Sequence, residues 1–162
     1  MTRPLRIALA AIVVIASAVA LHWFCALPYR CSRQLHLIEP RSYRAVEMAE
    51  SPRGTILARE NLEQLESIRG ACRNDLTWMM LYAANARVIG DLPGAAAEYT
   101  RALSLYRRPE LYYNRAMTRL AMGDVQGSVR DFAVAAQFNT AWLDNLDYDT
   151  RIMIMNEMAR RH

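Results

Sequence analysis

The chain begins with a long apolar run and continues as segments in which apolar residues recur at helical spacing. Residues 7–27, IALAAIVVIASAVALHWFCAL, contain no formal charge. A helix of this length extends about 31 Å, which matches the thickness of a bilayer core. Backbone polar groups in lipid must be satisfied within the segment itself. The pattern therefore predicts one membrane-spanning helix within residues 1–30.

A cleaved signal peptide is the alternative interpretation of this segment. Residues 1–6 would form its basic region, and Ala18-Val19-Ala20 fits a small-residue cleavage site. The apolar stretch continues beyond that site, which favours an uncleaved anchor. A short N-terminal tail ahead of an exportable domain favours an inside N-terminus. We therefore expect a single-pass protein of a bacterial-type cell membrane with its domain on the periplasmic side, or a secreted or periplasmic protein after cleavage.

A repeated pattern occupies residues 76–141. Apolar and small residues recur at spacings of three and four on either side of a Gly-Asp pair, and the arrangement returns 33 positions later. A turn at each Gly-Asp pair separates two helices. The pattern predicts helix–turn–helix units at about 76–108 and 109–141. The recurring positions are Gly90-Asp91 and Gly123-Asp124, Gly94 and Gly127, Tyr99 and Phe132, and Ala102 and Ala135.

The two units resemble tetratricopeptide repeats (TPRs), which are helix–turn–helix units with a period of about 34 residues. The shared features are a small residue late in the first helix, a glycine at the turn, and a small residue, an aromatic ring and an alanine in the second helix. The chain departs from the family pattern at Met79, where an aromatic is usual, and at Thr140, where a proline is usual. The matching residues are Ala83 and Ala116, Gly90 and Gly123, Ala95 and Ser128, Tyr99 and Phe132, and Ala102 and Ala135.

Flanking helices are expected on both sides of these units, because two repeats are too few to bury a continuous core. Residues 51–70 are a candidate, a degenerate half-repeat with Ser51 at the N-cap and Pro52 in the first turn. Its apolar stripe consists of Ala58, Leu62, Leu65 and Ile68. A C-terminal capping helix is expected at about 142–160, with a buried set of Trp142, Leu143, Leu146, Ile152, Met155 and Met158.

These elements together predict an all-α protein. A membrane anchor or signal segment at residues 1–30 precedes a linker at residues 31–50, and a TPR-like helical solenoid with flanking capping helices fills residues 51–162. The basic residues do not change this prediction. All 20 are arginine, and four of them flank the apolar run. The remaining domain is close to neutral and lacks the dense positive patch by which proteins neutralise nucleic-acid phosphates, so no nucleic acid is expected as a partner.

No arrangement of residues indicates catalysis, a cofactor or a metal, so we expect a protein that is not an enzyme. The sequence has no phosphate-binding glycine loop, nucleophile elbow or His-Glu-x-x-His motif. His22, His36 and His162 do not have the spacing of zinc ligands. Cys31 and Cys72 are able to form a disulfide in an exported domain, but two unrelated thiols are the favoured interpretation.

The resemblance to the TPR family implies a groove for a protein or peptide partner, because the first helices of such repeats line a concave surface. The residues at these positions are Met80, Ala84, Arg87, Tyr113, Asn114, Met117 and Leu120. In the alternative arrangement, Met80 and Met117 pack against the flanking helices instead.

The predicted function is that of a membrane-tethered adaptor. The alternative is a structural subunit held in a membrane complex through its transmembrane helix, in which Ala16 and Ala20 have small-xxx-small spacing.

Overall fold

The computed structural model describes residues 3–160, with the side chains of residues 11–26 and 28–160. This part of the chain is helical and contains no strand, which confirms the predicted all-α class. Residues 1 and 2, in the predicted anchor, and residues 161 and 162, which follow the predicted capping helix, lie outside the described residues. The helices are α1 (Arg3–Leu21), α2 (Leu27–Glu47), α3 (Pro52–Ser67), α4 (Arg69–Cys72), α5 (Leu76–Val88), α6 (Leu92–Leu105), α7 (Pro109–Ala121), α8 (Val125–Ala136) and α9 (Tyr148–Ala159), with a π-helical turn at His22–Ala26 and a 3-10 turn at Thr140–Leu143.

Helix α1, the π-helical turn and α2 follow one another without a break. The run Ala11–Glu47 is long and apolar enough to cross a membrane or to act as a signal sequence. The side chains of residues 11–25 are all exposed, so the apolar part of this run does not pack inside the domain. The π-helical turn is explained by Pro28, because a proline ring clashes with the carbonyl four residues earlier and a wider turn makes room for it.

The prediction of a linker at residues 31–50 is wrong, because α2 covers most of this segment and packs against α3 and α5. Its buried stripe has the four-three spacing of an amphipathic helix. Pro40 and the charged residues lie between the stripe positions, which hides the period in the sequence. The stripe consists of Cys31, Leu35, Ile38, Ser42 and Ala45, each at most 4% exposed.

Helix α2 also supplies the partner of the segment that was predicted to be a half-repeat. Helix α3 begins after Ser51, whose Oγ accepts a hydrogen bond from the Gly54 amide at 3.1 Å, as the predicted N-cap requires. A Cβ atom at Gly54 would lie 2.0 Å from the carbonyl oxygen of Met48. The glycine therefore allows α3 to pass close to the end of α2, and the two helices pack as a pair.

A disulfide joins Cys31 of α2 to Cys72 of α4, with the two Cα atoms 5.3 Å apart. The favoured expectation of two unrelated thiols is therefore wrong. The sequence does not show this pairing, because it depends on α3 returning the chain to the start of α2. A linker at residues 31–50 would not hold Cys31 at that position. Cys25 is a free, exposed cysteine.

Two apolar clusters fill the interior of the described domain. The first joins α2, α3, α5 and α6 around Trp78, whose indole Nε1 donates a hydrogen bond to the Leu65 carbonyl oxygen at 2.9 Å. The second joins α7, α8, the 3-10 turn and α9 around Phe132 and Ile154. Leu111 of α7 belongs to the first cluster and α7 contacts α6, so the helix pairs pack in chain order.

The two Gly-Asp turns have the same backbone geometry. At the first turn, Gly90 has a φ of 85° and the Asp91 amide donates to the Ala86 carbonyl oxygen at 2.9 Å. At the second turn, the equivalent glycine has a φ of 80°, and the equivalent bond from Asp124 to Arg119 is also 2.9 Å long. Both are Schellman turns, in which a left-handed glycine satisfies the last carbonyls of a helix. The predicted helix–turn–helix pairs are therefore present.

The helix that follows each turn begins with the same cap. Asp91 Oδ1 accepts from the Gly94 amide at 3.0 Å, and Asp124 Oδ1 accepts from the Gly127 amide at 2.9 Å. A Cβ atom on Gly94 or Gly127 would lie only 2.1 or 2.0 Å from the capping carboxylate. The carboxylate therefore lies where a side chain at Gly94 or Gly127 would begin. Asp75 caps the Trp78 amide at the same spacing, so the cap itself does not need a glycine.

Behind these turns, the repeated small and aromatic residues are all buried where paired helices meet, as predicted. They are Ala83 and Ala116, Ala95 and Ser128, Tyr99 and Phe132, and Ala102 and Ala135, none more than 3% exposed.

The C-terminal segment differs from the prediction in the face that it buries. Leu143 and Leu146 are buried as expected, but Ile152 and Met155 are 39% and 59% exposed. The reason is that a 3-10 turn ends at Leu143 and a new helix, α9, starts after the N-cap Asp147. The helical phase therefore does not continue through the segment. The side of α9 that is buried or half-buried consists of Thr150, Ile154 and Met158.

Candidate functional site

A groove between α2, α5 and α7 brings together four of the seven predicted site residues. It encloses a cavity of about 260 Å³. Met80, Ala84 and Arg87 lie along one side of α5, and Asn114 comes from α7. The positions along α5 are four and three residues apart, so one face of the helix presents all three side chains to the cavity.

The opposite wall of the groove is α2, which sequence reasoning missed because this segment was interpreted as a linker. It contributes Glu39, Tyr43 and Val46. The Tyr43 hydroxyl donates a hydrogen bond to Glu39 Oε1 at 3.2 Å. Burial, together with the neighbouring carboxylate, raises the pKa of Tyr43, so the phenol stays protonated and acts as a donor near neutral pH. The four-residue spacing of Glu39 and Tyr43 was the signal in the sequence.

Tyr99 of α6 forms part of the groove floor. Its side chain is 3% exposed, and burial raises its pKa to about 12 although the Arg87 guanidinium acts in the opposite direction. Burial disfavours the charged phenolate more than the nearby positive charge favours it. The groove therefore has a neutral aromatic floor at physiological pH.

A buried chain of hydrogen bonds holds the walls of the groove together. Asn85 Nδ2 donates to Ser42 Oγ at 2.8 Å and to the Leu81 carbonyl oxygen at 2.7 Å. Asn61 Nδ2 in turn donates to Asn85 Oδ1 at 3.0 Å. Ser42, Asn61 and Asn85 are at most 1% exposed, and they belong to α2, α3 and α5. These bonds would be lost if the helices shifted, so the network fixes the relative positions of the three helices. Asn61 Oδ1 is buried and has no hydrogen-bond partner among the described residues.

Arg87 is the positively charged side chain of the groove and Glu39 the negatively charged one. None of the ion pairs among the described residues includes either of them. Elsewhere arginines are paired inside the fold, as where Arg115 binds both carboxylate oxygens of the buried Asp131 at 2.7 and 2.8 Å. The two groove charges are therefore available to a ligand.

The three other predicted site residues are not brought to this groove. Tyr113, Met117 and Leu120 are half-buried against the second apolar cluster. The Tyr113 ring meets the rings of Phe132 and Trp142 edge to face, with centroids 5.5 and 5.0 Å apart. The segment that follows α8 therefore covers the surface where the second repeat was expected to bind a partner.

No group of three His, Cys, Asp or Glu side chains within the described residues is arranged as metal ligands are. Comparisons of the chain with family models, with curated proteins and with solved structures find no match.

Proposed function

We propose that the protein is a membrane-tethered, TPR-like adaptor of a bacterial-type cell envelope that binds a segment of a protein or peptide partner. The observation that carries the proposal is the groove, in which Met80, Ala84, Arg87 and Asn114 meet the α2 wall around one cavity. The resemblance to TPRs is supported by the recurrence of turn, cap and buried positions 33 residues apart.

The composition of the groove favours an apolar anchor side chain within a polypeptide. Met80 and Val46 provide adaptable apolar contact. Asn114 and Arg87 add donors for carbonyl or carboxylate oxygens of a bound chain. Sites for drug-sized ligands enclose about 300–1,000 Å³, so a cavity of about 260 Å³ suits one anchoring side chain. The buried hydrogen bonds among Ser42, Asn61 and Asn85 keep the groove preformed, which lowers the entropic cost of binding.

We place the domain on the exported side of the membrane. The disulfide between Cys31 and Cys72 supports this, because disulfides persist in oxidising compartments and are rare in the cytosol. Arg30 and Arg33, just after the apolar run, favour the opposite orientation by the positive-inside rule. That rule is a statistical bias, whereas a cytosolic domain would keep the two thiols reduced.

A photo-cross-linking experiment tests the adaptor function in native membranes. A benzophenone side chain at Met80 lies in the groove, and one at Met122, on the second turn and 45% exposed, is the matched control. We expect one discrete adduct from position 80, none from position 122, and loss of the adduct in the Arg87→Glu background with an unchanged melting temperature. Adducts formed equally from both positions would contradict the proposal.

A third cross-linker position separates the adaptor from the structural subunit. Ala16 lies on the exposed surface of α1. An adduct from position 16 with none from position 80 would indicate that the partner binds the transmembrane helix and not the groove. Intact mass provides the check on anchoring, since a mature N-terminus at Leu21 would mean that the apolar segment is a cleaved signal.

A further inference from the structure

The disulfide brings together two chain segments that carry positive charge and no negative charge. Residues 27–37, at the start of α2, contain Arg30 and Arg33, and residues 67–74, around α4, contain Arg69 and Arg73. Neither segment contains an Asp or a Glu. Because the Cα atoms of Cys31 and Cys72 are 5.3 Å apart, the four arginines belong to one corner of the domain, which we call the basic corner.

The basic corner lies at the level of the lipid headgroups if α1 crosses a bilayer. The apolar run ends at Leu27, so Arg30 and Cys31 are about 4.5 and 6 Å further along the helix axis at 1.5 Å per residue. Each headgroup layer is roughly 5 to 7 Å thick. The disulfide keeps the Cα atom of Cys72 within 5.3 Å of that of Cys31, so both lie close to the headgroup layer.

The basic corner also has the cavities to receive a headgroup. A cavity of about 580 Å³ lies between α2 and the α3–α4 corner, with Tyr29, Arg30 and Arg33 on its α2 side. A second cavity, of about 450 Å³, adjoins it at Gly70 and is lined by Arg69, Arg73 and Arg101. Glu98 also lines this cavity, and its carboxylate is paired with Arg101. The first cavity reaches Ala26 in the π-helical turn, so it is continuous with the exposed apolar surface of the helical run.

The arginines of the basic corner are positioned for an external anion. Arg30, Arg33 and Arg73 are exposed and make no ion pair with a described residue. Arg69 pairs with Glu66 at 3.3 Å, and its guanidinium lies 5.5 Å from the centroid of the buried Trp78 ring. It is therefore held in place at the edge of the site.

We propose that the basic corner binds the phosphate of an anionic phospholipid of the phosphatidylglycerol class, with the acyl chains along α1. The inference rests on the proposed membrane anchoring. Guanidinium groups bind phosphate through paired, charge-assisted hydrogen bonds, and basic residues next to a membrane helix are attracted to anionic headgroups. A nucleic acid does not fit as the ligand, because the apolar helix beside the cavity would occupy the approach of a long polyanion.

Lipid retention by the full-length protein tests the proposal. The protein is extracted from nanodiscs that contain equal amounts of phosphatidylcholine and phosphatidylglycerol, and bound lipid is identified by native mass spectrometry. The test variant is Arg30→Gln, Arg33→Gln and Arg73→Gln. The charge-matched control is Arg44→Gln, Arg53→Gln and Arg59→Gln, three exposed arginines of α2 and α3 outside the basic corner.

We expect the wild type and the control variant to retain phosphatidylglycerol in preference to phosphatidylcholine. The test variant should lose about a hundredfold in this preference, since each basic residue near an anionic surface contributes about fivefold and three are removed. The variant with lysine at positions 30, 33 and 73 should keep most of it. Equal retention by the test variant and the wild type would overturn the proposal, as would displacement of the lipid by inorganic phosphate at equal concentration, which would indicate a site for a free anion.

Two further measurements separate this inference from the proposed anchoring. Resistance of the protein to carbonate extraction reports on the transmembrane helix, and the mass of the Cys31–Cys72 disulfide form reports on folding of the basic corner. A protein that resists extraction and forms the disulfide, but shows no preference for phosphatidylglycerol, refutes the lipid site and leaves the anchoring intact. A protein that carbonate removes refutes the anchoring, and the lipid site with it.

Discussion

Asn85 of α5 donates a hydrogen bond to Ser42 of α2 at 2.8 Å across 43 residues of sequence. Both side chains are at most 1% exposed, and Asn61 of α3 extends the chain by donating to Asn85 Oδ1. The bond shows that α2, which continues from the apolar N-terminal run, is an integral wall of the domain. The position of α2 is therefore fixed relative to the groove.

Removal of the Asn85 side chain tests how strongly this network holds the domain. Asn85→Ala leaves the Ser42 hydroxyl and the Asn61 amide without their partner, and each buried polar group left unsatisfied costs about 1 to 3 kcal/mol. We expect a clear fall in the urea midpoint of the full-length protein in mild detergent. Asn145→Ala, at an exposed position, is the control. Equal midpoints for the two variants would show that the network contributes no stability.

Loss of the disulfide should destabilise the protein by about 2 to 4 kcal/mol, because the bond closes a long loop in the unfolded chain. The bond spans a sequence separation of 41 residues. We expect the urea midpoint of the wild type to fall under reducing conditions, and that of Cys31→Ala with Cys72→Ala to be low and insensitive to reductant.

Cys25 provides the matched control for this prediction, because it is free and exposed. Cys25→Ala should keep the wild-type midpoint and its sensitivity to reductant. Alkylation without reduction, after denaturation in SDS so that every free thiol is accessible, should modify Cys25 alone. Labelling of all three cysteines under these conditions would contradict the pairing.

The repeated caps make a third prediction. Gly94→Ala puts a Cβ atom 2.1 Å from the capping carboxylate of Asp91, so the carboxylate must turn and the cap is weakened. Complete loss of an N-cap costs about 0.5 to 2 kcal/mol, which is the upper limit of the effect. Gly70→Ala is the control, since a Cβ atom there meets nothing within 4 Å. A Gly94→Ala protein that unfolds at the same urea concentration as Gly70→Ala would show that the Asp91 carboxylate moves aside without weakening the cap.

The turns and helix caps could be predicted from the sequence because they are formed by residues close together in the chain. The cap of Asp91 and the left-handed turn at Gly90 involve atoms a few residues apart, and they recur, so they could be recognised twice. Helix α2 was missed because Pro40 and its charged neighbours suggest a loop. Their effect on helix formation is outweighed by burial of the Cys31–Ala45 stripe against α3 and α5, which is a tertiary effect.

Only the part of the candidate site that depends on neighbouring residues could be predicted from the sequence. Met80, Ala84 and Arg87 lie one helical turn apart, and their common face follows from the period alone. Whether Tyr113 is covered depends on Trp142, which contacts its ring only because the chain forms a 3-10 turn after α8. The α2 wall depended on a helix that the sequence did not reveal.

Tyr113 packs against the second apolar cluster whereas Arg87 lines the groove, so a fourth prediction is that only the loss of Tyr113 lowers stability. Tyr113→Ala removes a ring that packs edge to face on Phe132 and Trp142, and deletion of a half-buried ring with two such contacts costs about 2 to 3 kcal/mol. Arg87→Ala removes a half-buried side chain with no ion pair to a described residue and should leave stability within about 0.5 kcal/mol. Thermal midpoints measure both. A stable Tyr113→Ala protein would mean that the ring faces an open surface.

Stability at alkaline pH should depend on Tyr99, whose pKa burial raises to about 12. In the unfolded chain the phenol ionises from about pH 10. The folded protein holds its proton to higher pH, so the unfolded state releases more protons and is favoured as the pH rises. Stability from this group is complete below pH 10 and is lost between pH 10 and pH 12, by about 1.4 kcal/mol at pH 11.

Replacement of the phenol isolates this contribution. Tyr99→Phe keeps the ring in the groove floor and removes the ionisable group, so its denaturation midpoint should fall less than that of the wild type between pH 9 and pH 11. Tyr148→Phe, at a position 69% exposed, should fall as much as the wild type. The measurement is guanidinium unfolding at both pH values. If all three proteins lose the same stability, the Tyr99 phenol ionises as readily in the folded protein as in the unfolded chain, and the groove floor is open to water.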